Sequence, residues 1–336
     1  MSRVLPVDPS APDADAVGEA ARVLRSGGLV GLPTETVYGL AASALDEGAV
    51  RRIFAAKGRP PSHPLIAHVL DEDAARRLAA AWPDAAHRLA SAFWPGPLTI
   101  VVDRTREVPS AVTGGGDSIA LRAPSHAVAR AVIRALGHPI AAPSANRFQG
   151  LSPTTADHVL RELGAHVDLI LDAGPCAAGI ESTVVDVRTA RVRLLRPGAL
   201  DLPSLRRIVP DIERADQALR GLDPRPSPGM QARHYAPRAR VLIAADRAEA
   251  DRIACGLIAQ GSRVGLLVLG PTPGRSSERL AVRQLGRVPA DYARALFATL
   301  RSLDEAGVDV VVVEAVPDDD IWLAVADRLK RAACPA

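Results

Sequence analysis

Lysine is almost missing from this chain. Only Lys57 and Lys330 occur, so 39 of the 41 basic residues are arginine. A coding bias toward arginine, in a composition also heavy in alanine, accounts for the excess. The two remaining lysines stand out, because an ammonium and a guanidinium are not interchangeable at a site. Aromatic residues are scarce too: 3 Trp, 3 Tyr and 4 Phe. That is too few for the base-stacking platforms of a single-strand binder. The three cysteines, Cys176, Cys255 and Cys334, are far apart and odd in number. They build neither a disulfide framework nor a zinc pattern, and they fit a thiol-reduced, cytoplasmic setting. No run of roughly 18 apolar residues exists, which argues against a membrane-spanning helix. The first residues, Met-Ser-Arg-Val-Leu-Pro-Val-Asp, carry no apolar stretch of the kind a secretory leader needs. The net charge is only +3, and Asp and Glu are interspersed with the arginines. A basic excess of that size does not indicate a nucleic-acid surface.

Several catalytic motifs are also absent. There is no Gly-x-x-x-x-Gly-Lys-Ser/Thr, no Gly-x-Gly-x-x-Gly after a strand and no Gly-x-Ser-x-Gly. Nucleotide chemistry in this chain would have to use cationic side chains placed by the fold.

What is present suits about two domains, with 336 residues of which 48% are hydrophobic. The spacing predicts a helix over 12–26 stopping at Gly27-Gly28, a strand at 29–32, and a helix from the Asp46 cap to Lys57. Strands are expected at 65–70, 98–103, 118–122, 139–142, 168–172, 182–188 and 191–196. Helices are expected at 72–81, at 84–92, from a Ser125 cap to Gly137, and from Thr154 or Thr155 onward. Strands and helices mix without a regular repeat, which predicts a mixed sheet. The proline-rich stretch 222–237 reads as an extended linker. After it, β and α alternate: strands at 240–244, 263–269 and 308–316, helices at 246–260, 289–306 and 321–333. That pattern predicts a small parallel-sheet domain.

Several segments carry polar groups that could do chemistry. Leu32-Pro-Thr-Glu-Thr-Val-Tyr-Gly-Leu40 sets Thr34, Glu35, Thr36 and Tyr38 in a loop after the first predicted strand, although a capped turn explains the same residues. Lys57-Gly58-Arg59-Pro60 places two cations at a helix end, where lysine as a point charge and arginine as a fork can grip a polyphosphate. The helix dipole accounts for one such cation better than for the pair. His63 and His68 flank the next strand without metal-ligand spacing. Ser118 and Arg122 share one face of a strand, where a buried arginine would suit a carboxylate and an exposed one would mean nothing. Ser144 and Asn146 alternate in Ala142-Pro-Ser-Ala-Asn146, and Ser182 and Arg196 fall near adjacent strand ends.

Taken together, these segments resemble the YrdC-like threonylcarbamoyl-AMP synthases. The resemblance is carried by Pro-Thr-Glu-Thr-Val-Tyr-Gly-Leu, Lys-Gly-Arg-Pro, His-Pro-Leu-Ile-Ala-His, Phe-Trp-Pro-Gly-Pro-Leu-Thr, Ala-Pro-Ser-Ala-Asn, Ser-Pro-Thr-Thr-Ala and Glu-Ser-Thr-Val-Val-Asp, in that order. Ser227-Pro-Gly-Met230, His234-Tyr-Ala-Pro237 and Asp327-Arg-Leu-Lys-Arg-Ala-Ala333 resemble the long, two-domain form.

The resemblance implies an α/β fold: a YrdC-like mixed, twisted sheet domain at 1–205, a linker or lid at 206–239, and a small Rossmann-like parallel α/β domain at 240–336. It implies that L-threonine, bicarbonate and ATP give threonylcarbamoyl-adenylate and pyrophosphate. The product would feed a downstream threonylcarbamoyl-transferase machinery that modifies a tRNA adenosine, with no direct tRNA contact required. By the same resemblance Lys57, Arg59, Ser144 and Asn146 form the catalytic pocket. Thr36, His68, Arg122, Ser144 and Ser182 hold threonine. Arg59, His63, Ser118, Asn146, Thr154, Arg196 and Tyr235 contact ATP, so the linker bearing Tyr235 should fold over the nucleotide. Magnesium would arrive on the phosphates of ATP, since no carboxylate cluster offers a cage. Gln149 stands where the family often has glycine, and Pro317-Asp-Asp-Asp-Ile-Trp322 is more acidic than the family pattern. The rival reading is an RNA-binding protein with a basic concave surface, disfavoured by the even mixing of charge and the few aromatics.

Overall fold

Asp13 opens the first helix. Its side chain accepts from the amides of Asp15 and Ala16, and the helix Ala14–Arg25 follows. Asp46 does the same for Glu47–Lys57, accepting from the Ala49 amide at 3.0 Å. Both starts fall where capping chemistry puts them. Two expectations are corrected. His126, not Ser125, caps the helix Ala127–Leu136, its Nδ1 accepting from the Val128 amide at 3.3 Å. The helix expected over 72–81 spans only Glu72–Arg76, and Ala79 bridges to Arg104 instead.

The computed structural model describes residues 2–215, 233–271 and 277–335. The Ser227–Met230 part of the expected linker lies outside them. The chain divides into two compact units: Met1–Phe148 with Ser152–Met230, and Gln149–Leu151 with Gln231–Ala336.

The first unit holds an 11-stranded mixed sheet. Its strand order is Arg3–Pro6, Leu169–Asp172, Val30–Leu32, Gly39–Ser43, Ile140–Ala141, Ile66–His68, Ser118–Arg122, Leu98–Asp103, Thr183–Asp186, Arg193–Arg196 and Glu213–Arg214. One face is covered by the helices Ala14–Arg25 and Ala127–Leu136. Ala20, Leu24, Val128, Val132 and Leu169 pack there, almost fully buried. Each buried Leu or Val of this kind stabilises by roughly 1.5–3 kcal/mol.

The register gathers several candidate residues at one end of this sheet. His68 pairs with Arg122 across parallel strands. Ile100 lies opposite Leu121 across antiparallel ones, so Thr99 falls at the level of Arg122. Thr183 pairs with Leu98, which brings Ser182 to the same end. The strand Gly39–Ser43 bridges Ser144 through Gly39, and the Leu40 amide donates to the Pro143 carbonyl at 2.7 Å.

The second unit is a four-stranded, all-parallel sheet ordered Arg240–Ala244, Val310–Glu314, Val264–Leu269, Leu280–Leu285. Val264, Leu266, Val268 and Val312 form its core with Ala250 and Ala254 of the helix Arg247–Ala259. The helices Pro289–Glu305 and Leu323–Ala332 complete it. The architecture agrees with the expected mixed-sheet domain plus a parallel one. Leu280–Leu285 is a strand the sequence reading did not contain.

Candidate active site

The helix Glu47–Lys57 ends in a glycine turn. Gly58 adopts φ 62, and the Arg59 amide reaches back to the Phe54 carbonyl at 3.0 Å. This left-handed C-cap swings the chain so that both flanking cations point inward. Lys57 and Arg59 are buried, 4% and 7% exposed. The Lys57 ammonium donates to the backbone carbonyls of Ser144 and Asn146. Lysine therefore ties the Ala142–Asn146 loop to the helix end, a task suited to a compact ammonium. Burial, and then the positive charge of Arg59, holds the Lys57 amine well below its ordinary range, with Glu162 pulling the other way. Arg59 donates from Nη2 to the Pro64 carbonyl at 2.9 Å. His63 packs on Phe148, ring centroids 5.4 Å apart.

A second group surrounds Arg122. Its Nη1 donates to Thr36 Oγ1 at 2.9 Å and its Nε to the Gly96 carbonyl at 3.3 Å, while Nη2 lies 2.6 Å from Glu35 Oε1. A guanidinium carries five N–H groups, so this side chain is anchored on several sides with donors to spare. The surface-arginine alternative is overturned, since the Arg122 side chain is only 4% exposed. Glu35 is the residue that sequence reasoning left without a role. Burial alone would raise its carboxyl, but the charge and hydrogen bond of Arg122 hold it below the usual carboxylate range. Its place between Thr34 and Thr36 was visible. Its pairing was not, because 86 residues separate Thr36 from Arg122.

His68 is buried beside Arg122, and its Nδ1 finds no hydrogen-bond partner among the described residues. Burial first, and then the Arg122 charge, pushes its pKa down to about 3, so the ring is neutral. Thr36 also contacts Thr34 Oγ1 at 2.9 Å. Ser182 Oγ lies 2.8 Å from Thr99 Oγ1 and accepts from Arg196 Nη2 at 3.1 Å. Arg196 additionally donates to the Ser182 carbonyl at 2.9 Å. Gly198 makes that approach possible, because a Cβ there would sit 2.5 Å from the Glu181 and Ser182 oxygens.

Thr154 is buried, its Oγ1 3.3 Å from His158 Nδ1, and its carbonyl accepts from the Cys176 amide. Ser118 heads its strand four residues from Arg122, about 13 Å away along an extended chain. Tyr235 belongs to the second unit, where its ring is buried. Gln149, at the position where the family favours glycine, has φ 67, the left-handed region in which glycine is at ease. Cys176 is no thiolate nucleophile, since burial pushes its thiol up to about 12. Among the described residues no group of three or more His, Cys, Asp or Glu stands together as a metal cage, and no helix is long and apolar enough to cross a membrane.

A mixed sheet bearing buried cations and hydroxyls, followed by a small parallel α/β unit, defines the YrdC-like class of two-domain proteins. Comparison with known proteins agrees. A family model covering Sua5, YciO and YrdC, described as telomere recombination, matches residues 22–198. A second, the threonylcarbamoyl-AMP synthase C-terminal domain, matches residues 202–334. The chain belongs to the threonylcarbamoyl-AMP synthase family. It is similar to the threonylcarbamoyl-AMP synthase of Pyrococcus abyssi, with 41% identity over 93% of this chain and 92% of that protein. The Bacillus subtilis enzyme is 38% identical over 94% and 92%. The crystal structure of Pyrococcus abyssi Sua5 complexed with L-threonine superposes with a TM-score of 0.92 at 39% identity, covering 99% of this chain and 98% of that one. Escherichia coli YciO matches with a TM-score of 0.55 at 25% identity, over 61% of this chain and all of that one.

Proposed function

We propose that the protein condenses L-threonine, bicarbonate and ATP into threonylcarbamoyl-adenylate, pyrophosphate and water. The threonine amine adds to CO2 derived from bicarbonate, forming an N–C bond and losing a proton. A carbamate oxygen then attacks the α-phosphorus, and the bond to pyrophosphate breaks. None of this needs a protein nucleophile. Positioning and neutralisation of charge carry the catalysis.

The observation that carries this reading is the tie of Lys57 to the Ser144 and Asn146 carbonyls, beside Arg59. It unites the four residues assigned to the reacting carbamate and phosphates. In this reading Lys57 holds the loop that presents the Ser144 hydroxyl and the Asn146 amide, and Arg59 meets the phosphates. Arg122 takes the threonine carboxylate, and Glu35 keeps its guanidinium aimed. Thr36, neutral His68, Ser144 and Ser182 complete the amino-acid subsite. His63, Ser118, Asn146, Thr154, Arg196 and Tyr235 serve ATP. Magnesium comes with the ATP phosphates.

Residues 1–205 carry the chemistry, 206–239 link, and 240–336 form the C-terminal domain. The product supplies a transferase machinery that modifies tRNA. Incubation with threonine, bicarbonate and ATP should yield a species of the mass of threonylcarbamoyl-adenylate. Its absence, with ATP unconsumed, contradicts the reading.

A further inference from the structure

The motif Asp327-Arg-Leu-Lys-Arg-Ala-Ala333 closes the chain's family resemblance, yet the reaction uses none of it. Its place in the second unit gives it a task. The helix Leu323–Ala332 buries Arg328 completely, its side chain 0% exposed. The Arg328 guanidinium carbon stands 4.8 Å from the centre of the Tyr235 ring. Phe297 stacks on the same ring at 5.6 Å with a 29° tilt, and the His234 ring meets it edge-on at 3.9 Å. Arg328 donates to Asp327 at 2.9 Å, and Arg331 donates to the same carboxylate at 2.9 Å. The Arg331 carbonyl accepts from the His234 amide at 3.4 Å, and the Ala236 amide donates to the Gln149 carbonyl at 3.1 Å.

Tyr235 itself has φ 59, a left-handed conformation that bulky L residues avoid. Such strain persists only where the surroundings over-determine it. A buried guanidinium is also a costly way to fill space, because an apolar side chain would pack without desolvating a charge. What a guanidinium adds is a cation facing an aromatic ring, together with directional donors.

We propose that Arg328 is a positioning residue for Tyr235. With Asp327 and Arg331 it forms a buried seat that fixes the Tyr235 ring and its strained backbone. Its effect on turnover rests on the reading that Tyr235 contacts ATP.

The test uses the full chain with Arg328→Met and Arg328→Lys, plus Tyr235→Ala as reference, each checked for folding by circular dichroism and melting. Hydrogen exchange is followed at the amides of His234 and Ala236, with KM for ATP and for threonine. In Arg328→Met, exchange at these two amides should rise about tenfold, as expected when a cation–π contact is lost. The KM for ATP should rise with it, the threonine KM should stay, and Arg328→Lys should restore part of both effects. If Arg328→Met does not fold, Arg328→Lys carries the test through the same two amides. Wild-type exchange at both amides overturns the proposal. So does an increase spread evenly over the strand Val310–Glu314, or an equal rise in both KM values. Faster exchange with an unchanged ATP KM, in Tyr235→Ala as well, keeps the seat and overturns the reading of Tyr235 as an ATP contact.

Discussion

Arg122 and Glu35 form a buried ion pair, Nη2 to Oε1 at 2.6 Å, at the end of the sheet where the amino-acid subsite is proposed. The pair compensates a guanidinium that would otherwise stand buried without a counterion. Removing one partner of such a pair costs about 3–5 kcal/mol. Glu35→Gln should therefore lower the melting temperature and raise the threonine KM, leaving the ATP KM near its wild-type value. Steady-state kinetics with each substrate varied checks this. An unchanged threonine KM would remove Glu35 from the subsite.

Lys57 and Arg59 should fail in different ways. Lys57→Ala severs the ties to the Ser144 and Asn146 carbonyls, so it should abolish turnover and also destabilise the fold by roughly 1–3 kcal/mol through two unsatisfied carbonyls. Arg59→Ala should abolish turnover with a smaller change in stability. Urea titration beside a turnover assay separates the two. Normal turnover in both variants would refute the phosphate-clamp role.

Two buried groups of the proposed site contribute to the acid limb of stability. Glu35 and His68 both have folded-state pKa values below their ordinary ones. Each contributes stability that is complete above its unfolded pKa and is lost as pH falls toward the folded value. For His68 that window runs from 6.5 down to about 3, and for Glu35 it opens below 4.5. The melting temperature should decline below pH 6.5, and His68→Gln should flatten the slope between pH 6.5 and 4.5. Equal slopes in the two proteins would show that His68 is not buried in its neutral form.

Gly198 is fixed by proximity. Gly198→Ala would set a methyl 2.5 Å from the Glu181 and Ser182 oxygens. Relieving that overlap should cost about 1–3 kcal/mol and push Ser182 away from Arg196. The expected outcome is a lower melting temperature with weaker binding of both substrates. A wild-type melting curve would mean that the backbone approach is looser than described.

Much of this was legible in the chain. Asp46 announced its helix, Gly58 its cap, and the Val-rich runs the second sheet. The Asp13 cap of the first helix was not singled out. Other elements were hidden for physical reasons. Gly39–Ser43 reads Gly-Leu-Ala-Ala-Ser, with no β-branched residue, and becomes a strand because neighbours pair on both sides of it. Leu280–Leu285 mixes Arg and Gln into an edge strand and shows no clean period. In the site, Lys57 and Arg59 stood out by type and spacing. The carbonyls that hold Lys57, and the carboxylate that holds Arg122, are long-range partners that no local pattern encodes. Arg328 was one arginine among 39 until its ring partner was seen.

Pyrophosphate release tests the central claim most directly. Purified protein is supplied with ATP and magnesium, and threonine and bicarbonate are then withheld one at a time. Release only when both are present is the predicted result. Equal release without threonine would contradict the account.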